Sequence, residues 1–475
     1  MTALNPPAKP LGWKHSFLWA TLAVACFQAA YTSAQFPASG WLIFGYAGGL
    51  IRLADQPNVR RAFYFGLATG YACFAGQLFF MWHIFSVAAA VLWLVLSFWT
   101  GLFAAIVCGS IRRWGKTRAA WLIPLAWTGV EYFRSELYYL KFSWLNIGYA
   151  FAHSANFPFN FLGMYGVGFL TFSLAAILLT ARKKNAILIA ICLICTWGLL
   201  KATGLPHSQG TEIKLTGVQL EFPPTNLLPK ILDQALAKNP STCVFVLSEY
   251  TLDGPVPESL QHWCREHGRF LVVGGKDPVG TNNFFDTAFV VGTNGEIAFQ
   301  QAKSVPIQFF HDGMPAKEQK LWNSPWGKIG LCVCYDLSYT RVTDELIRQG
   351  AQLIIVPTMD LEYWGQHQHE LHARVAPVRA AEYGIPIFRL ASSGISQAVT
   401  SDGQVAGQTS VPGTGAILSA SIRMPTQGRI PWDRYLAPLC VGFTGIVIAL
   451  LLFLENRESR QKWRSAGTAQ AQPEQ

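Results

Sequence analysis

Apolar residues fall along this chain in two textures. Long runs, most near the ~20 residues that carry an α-helix through a hydrocarbon core, occupy 15–34, 38–54, 62–84, 86–110, 118–135, 158–181 and 185–203, and one more occupies 435–454. Between the last two the runs shorten and alternate with amphipathic stretches. The first texture predicts a membrane domain over 1–203 with seven transmembrane helices, then one C-terminal transmembrane helix over 435–454 and a tail over 455–475; the second run is short enough to be re-entrant. The second texture, in which VFVLSEY, LVVGGKD and LIIVPT alternate with PKILDQALAK, PESLQHWCREHG, YTRVTDELIRQG and HELHARVAPVRAAEYG, predicts an α/β domain over 212–422.

Composition agrees with the long runs: the chain is 51% hydrophobic and only 13% charged, with 17 Trp. Its cations decide orientation. Lys9 and Lys14, then Arg52, Arg60 and Arg61, then Arg112, Arg113, Lys116 and Arg118, then Arg182, Lys183 and Lys184, and finally Arg457, Arg460, Lys462 and Arg464 occupy alternate connections. The positive-inside rule assigns them to the cytoplasm, which places the α/β domain on the outer side of the membrane. The net charge of +10 is therefore a topology signal, and no nucleic-acid partner is expected, because the basic residues flank spans and line no single folded face. A cleaved signal peptide is not expected, since further apolar segments follow without a cleavage site.

Chemistry concentrates where short apolar runs end. GLCVCYDLSYTR (330–341) reads as a strand that delivers Cys334 to a sharp turn before a helix from about Thr343; such an elbow exposes a nucleophile and aims backbone N–H groups at its target. VFVLSEY ends on Glu249, and AFQQAKSVP ends on Lys303. All three ionisable groups thus lie at the C-terminal ends of strands, where α/β sheets assemble active sites. Cys26, Cys73, Cys108, Cys192, Cys195 and Cys440 lie in apolar spans and read as packing residues, while a Cys243–Cys264 disulfide is compatible with the pattern.

The order Glu249, Lys303, Cys334, together with the Gly-Gly of LVVGGKD, SPWGKIGLCVCYD, LIIVPT with Asp360 and Trp364 beyond it, RAAEYGIPIFRLASSGIS and SDGQVAG, resembles the nitrilase, or carbon–nitrogen hydrolase, superfamily. The membrane runs and the segment EYFRSELYYLKFSWLNIGY, which carries Arg134, Trp144 and Gly148, extend the resemblance to the apolipoprotein N-acyltransferase family over nearly the whole chain. The resemblance implies a nitrilase-like αββα sandwich domain inserted between transmembrane helices, seven before and one after, in a bacterial inner membrane. It also implies a phospholipid acyl donor and a diacylated apolipoprotein acceptor, with Glu249 as base, Cys334 as nucleophile and Lys303 beside the oxyanion. Tyr335, Trp364, Arg134 and Trp144 are the expected substrate-binding residues, and a monomer without cofactor is expected.

Two departures from the family pattern stand out. VPIQFFHDGM follows Lys303 where the family carries LVPFGE, so Gln308, His311 or Asp312 falls near the place of its glutamate. MDLEYWG replaces the usual tryptophan motif. His311, His367, His369 and His372 could suggest a metal, yet no cysteine or acid completes a ligand set at suitable spacing, and none is expected. The alternatives to acyl transfer are a membrane-tethered amidase acting on a small amide, and a transporter or scaffold carrying a regulatory outer domain. The spans hold few ionisable residues and no evident inverted repeat, which argues against transport.

Overall fold

The computed structural model describes residues 11–32, 37–154, 157–180, 210–410, 413 and 415–469. The predicted span over 185–203, with Cys192 and Cys195, lies outside the described residues.

The long apolar runs form helices α1 (Trp13–Tyr31), α2 (Ile43–Leu53), α3 (Val59–Gln77), α4 (Phe80–Phe85), α5 (Ala88–Trp114), α6 (Lys116–Tyr132) and α7 (Phe159–Thr180). Among the described residues, α5, α7 and the C-terminal helix that begins at Asp433 are long and apolar enough to cross a membrane by length and composition. The second run is a 3₁₀ turn (Pro37–Leu42) followed by only 11 residues of α-helix, a rise of about 16 Å. The third is divided between α3 and the short α4. Helices α3 and α5 approach closely through small residues, the packing device of membrane interfaces: a Cβ on Gly66 would lie 2.8 Å from that of Ala104.

The middle region contains two six-stranded sheets. One joins β1 (Glu212–Val218), β2 (Val244–Val246), β3 (Phe270–Val279), β4 (Asn283–Val291) and β5 (Ile297–Ala302), with β12 (Ile417–Arg423) beside β1. The other runs in reverse order through β6 (Leu321–Ser324), β7 (Gly327–Leu331), β8 (Leu353–Thr358), β9 (Ile387–Ala391), β10 (Gln397–Val399) and β11 (Val405–Gln408). Strands β1, β2 and β3 are parallel, as are β7, β8 and β9.

Period-two alternation sorts the layers. Val244 and Val246 belong to the same core as Ile354, Val356 and Phe388 of the other sheet, whereas Phe245 and Leu247 pack in a second core with helices α8 (Leu228–Lys238) and α9 (Glu258–His267). Helix α10 (Thr340–Arg348) lies between β7 and β8, α11 (Gln366–Ala373) and α12 (Val375–Tyr383) lie between β8 and β9, and the last described element is α13 (Asp433–Ala469). This is the nitrilase-like α/β fold.

The helix after the cysteine starts at Thr340, three residues before the expected position, because Cys334–Ser338 forms its own 3₁₀ turn. Cys243 and Cys264 are both free thiols, so the disulfide compatible with their pattern is not formed.

Candidate active site

Three loops converge at the C-terminal ends of the strands. Glu249 follows β2, and the turn there requires φ +52° at Tyr250. Gly274 of β3 makes room for it, since a Cβ at that position would come within 2.5 Å of the Glu249 Cα. Lys303 directly follows β5, and Cys334 opens its turn at φ +50°. A non-glycine residue in the left-handed region carries backbone strain that persists only where the surroundings impose it. Asp336 imposes it here: its carboxylate accepts from the backbone N–H groups of Ser304 (3.0 Å), Val305 (2.7 Å) and Val333 (3.4 Å), tying the cysteine turn to the residues just after Lys303. Burial pushes Asp336 up to about 6 although those N–H groups pull the other way.

The Lys303 ammonium is fully buried among three carboxylates, 2.7 Å from Glu249 Oε1, 2.8 Å from Asp312 Oδ2 and 3.4 Å from Asp286 Oδ2. Burial alone would lower its pKa; Asp312, Glu249 and Asp286 outweigh that and hold it well above the ordinary lysine value. Asp286 shifts upward through burial and the nearby Glu249, which favours its protonated form and relieves the excess of negative charge. Burial, then Glu249, raise the Cys334 thiol, with Lys303 opposing them. The resting sulfur is therefore a thiol awaiting a base.

The other Glu249 oxygen accepts from the Met359 N–H at 2.7 Å, and the thiol faces the Met359 carbonyl at 3.8 Å. Glu249, Lys303, Cys334 and Asp312 line one chamber of about 650 Å³, rimmed by Phe222, Lys276 and Tyr363.

Asp312 is thus the acid that the altered VPIQFFHDGM segment brings to Lys303, held by Tyr250 Oη (2.8 Å) and the Ile307 N–H (2.6 Å). Asp286 escaped the sequence reading because it sits inside β4. Its signal was being the lone acid of NFFDTAFVV, and its backbone carbonyl also accepts from the Lys303 N–H at 2.7 Å. Glu249, Asp286 and Asp312 have the clustering of a metal site, but the Lys303 ammonium already occupies their midst. Three of the four histidines are engaged elsewhere, His367 with Gln77 (2.9 Å), His369 with the Leu361 carbonyl (2.9 Å) and His372 with Asp360 (2.8 Å), while His311 lines the chamber and meets the Phe284 ring edge-on at 5.2 Å.

A second, smaller chamber of about 130 Å³ lies beside the first and is almost entirely apolar. Tyr335, Trp144 and Trp364 all line it, and Trp364 lines the thiol chamber too. Trp144 stacks on His372 at 4.5 Å and donates from Nε1 to Ser338 Oγ at 3.0 Å, while Tyr335 Oη donates to the Lys141 carbonyl at 3.2 Å. The loop after α6 therefore docks on the cysteine turn.

Arg134 lies apart. The backbone widens to i+5 hydrogen bonding over Phe133–Leu137 and turns this residue inward; it is only 4% exposed, bonds Asn146 and lies over the Phe74 ring at 5.5 Å. It lines neither chamber, so contact with substrate there does not follow from its position.

A family model described as apolipoprotein N-acyltransferase N-terminal domain matches residues 23–177, and one described as carbon-nitrogen hydrolase matches 221–430. Apolipoprotein N-acyltransferase of Geobacter metallireducens is 24% identical over 92% of this chain and 95% of its own length, and that of Shewanella oneidensis is 21% identical over 85% and 90%. Deaminated glutathione amidase of Yersinia enterocolitica is 22% identical over 45% of this chain and 78% of its own. Among solved structures, a carbon-nitrogen hydrolase from Helicobacter pylori G27 aligns at 18% identity and TM-score 0.40 over 52% of this chain and 95% of its own, and an amidase from Nesterenkonia sp. at 20% and 0.39 over 46% and 93%. With a membrane-domain match followed by a hydrolase-domain match, and relatives aligned almost end to end, the chain belongs to the apolipoprotein N-acyltransferase family and contains a carbon–nitrogen hydrolase domain.

Proposed function

We propose that this enzyme moves an acyl chain from a phospholipid, through a thioester on Cys334, to the N-terminal amine of a diacylglyceryl-cysteine lipoprotein. The observation that carries the reading is the convergence of a thiol, a carboxylate and an ammonium on one chamber whose neighbour is walled by membrane helices.

In the first half-reaction Glu249 takes the Cys334 proton as sulfur attacks the ester carbonyl carbon. The oxyanion develops beside Lys303 and the Tyr335 backbone N–H. The C–O bond then breaks, and the lysophospholipid oxygen leaves with the proton from Glu249. In the second half the lipoprotein amine attacks the thioester and passes a proton to Glu249. The C–S bond breaks, an amide forms and the thiolate recovers the proton. One covalent intermediate between two substrates gives ping-pong kinetics. In this scheme Asp312 stands in for the family's glutamate by holding Lys303, with Tyr335, Trp144 and Trp364 beside the acyl chain.

The same reading sets the topology at seven spans before the catalytic domain and one after, with that domain on the outer face of a bacterial inner membrane. Its support is the segregation of charge. Lys116 pairs with Asp55, Arg113 with Glu458, and Arg112 reaches the Pro57 carbonyl, so these basic connections gather at one end of α5. The chamber residues Leu92 and Leu96 belong to its other end, about 25 Å away at 1.5 Å per residue.

Intact-protein mass spectrometry after incubation with phospholipid tests the reaction. One acyl group is expected on Cys334, absent in Cys334→Ala and discharged by a diacylated lipopeptide with a free amine. Release to water with no response to lipopeptide would instead indicate a hydrolase.

A further inference from the structure

The small apolar chamber measures about 130 Å³. We infer that it binds only the carbons nearest the ester of the transferred acyl group, so that the enzyme selects on bulk close to the carbonyl and not on total chain length. The inference rests on the transferase reading above and deepens it.

Position comes first. Ile307, Phe310 and Trp364 are walls of both chambers, and Tyr335, which lines the small one, is the residue after the nucleophile. A guest with its carbonyl at Cys334 therefore has the small chamber as its adjoining apolar space. The far wall is membrane domain: Phe80 and Phe85 of α4 with Leu92 and Leu96 of α5.

Size comes second. An apolar cavity of about 150 Å³ holds one benzene, so about 130 Å³ takes only the first several carbons. The remainder of a long chain must leave between the helices, where Val91, Leu94 and Phe98 of α5 are exposed apolar residues suited to lipid.

Polar atoms come third. Gln368, only 2% exposed, lines the chamber and donates from Nε2 to Asp360 Oδ1 at 3.1 Å, which fixes its amide orientation; its Oε1 has no partner among the described residues. The buried Trp364 Nε1 is likewise unpartnered. A hydrocarbon alone would leave both unsatisfied at a cost. The ester end of the guest answers the Trp364 N–H, which stands on the wall shared with the thiol chamber, with its oxygens as acceptors.

The test uses the full chain in mixed micelles and follows acylation of Cys334 by mass. Donors are phosphatidylglycerols whose transferred chain is octanoyl, lauroyl, palmitoyl or β-methyl-branched palmitoyl. Rates within about threefold across the straight chains, and at least about tenfold slower for the branched one, are expected, the scale on which an apolar pocket senses a single methylene. Leu92→Trp, which fills the chamber from a half-buried position, is expected to slow palmitoyl transfer about tenfold and to slow acylation of Cys334 by p-nitrophenyl acetate, whose acyl group ends short of the chamber, far less. Should that variant lose both reactions through misfolding, Val95→Phe decides by the same two probes. Steady acceleration with length up to palmitoyl, or indifference to the filled chamber, overturns the inference alone. Absence of any adduct on wild-type Cys334 from either probe overturns the transferase reading and the inference with it.

Discussion

Two buried clusters of charge sit on opposite sides of the cysteine turn, and they are built to different standards. On one side Arg379 donates to the carbonyls of Leu337 (3.1 Å) and Ser338 (2.8 Å) and to Glu382 (2.6 Å). Arg434, at the start of the last helix, reaches Asp344, Asp433, Glu382 and Tyr383 Oη. None of these side chains is left with an unpartnered buried atom. On the other side three carboxylates share one ammonium, Asp286 reaches it only at 3.4 Å, two residues hold strained backbone, and an open chamber adjoins. The saturated cluster locks the turn to the membrane helices; the unsaturated one keeps unspent polar capacity for a reaction.

Breaking the unsaturated cluster at its base has the largest expected effect. Glu249→Gln removes the proton acceptor and lowers the Cys334 acylation rate by roughly 10²–10⁴-fold. Its residual activity has a signature. Burial raises the thiol, and without Glu249 the sulfur must ionise unaided, so the variant's rate climbs about tenfold per pH unit as long as pH stays below the thiol pKa. A variant rate flat with pH in stopped acylation assays would remove Glu249 from the proton path.

Breaking the saturated cluster acts on stability first. Arg379→Met leaves Glu382 and two turn carbonyls without their buried donor, and loss of one member of such a pair costs about 3–5 kcal/mol. Denaturant titration in detergent is expected to show it as an earlier midpoint. Acylation by the fraction still folded should fall much less than in Glu249→Gln. Equal midpoints would show that the cluster does not hold the turn.

The unequal construction also explains what the sequence made legible. Glu249, Lys303 and Cys334 could be found because each closes a strand-like run, and strand ends are where a parallel sheet presents side chains. Asp286 could not, because it enters sideways from an antiparallel strand whose pattern reads as ordinary hairpin. Asp312 was in view only as one of three candidates, since choosing it required knowing how the loop after Lys303 folds back onto Tyr250. An α/β domain was visible in the short alternating runs, whereas its two-sheet arrangement followed only from the family resemblance. The helix start at Thr340 was not, because hydrophobic periodicity does not separate a 3₁₀ turn from the strand before it. The burial of Arg134 was not legible for a related reason: a widened helical turn rotates a side chain inward without leaving any mark on composition.

The smallest expected effects come from a matched pair, one hydroxyl removed from each cluster. Tyr383 Oη donates to Asp344 (2.6 Å) and accepts from Arg434 (2.8 Å), whereas Tyr250 Oη donates to Asp312 (2.8 Å), which in turn holds Lys303. Tyr383→Phe strands buried partners and is expected to cost about 1–3 kcal/mol of stability with acylation changed less than about twofold, within the scatter of mutations distant from the chemistry. Tyr250→Phe lies at the edge of the chamber, where water can reach the freed Asp312 oxygen, so its stability cost should be below about 1 kcal/mol. Its acylation rate should fall about tenfold, because a carboxylate released from Tyr250 no longer fixes the ammonium beside the oxyanion. The same atom removed twice then reads out two quantities: midpoint in one cluster, rate in the other. If both variants lost stability and neither lost rate, the charge around Lys303 would be architecture of the same kind as that around Arg434, and the contrast between the clusters would be one of packing alone.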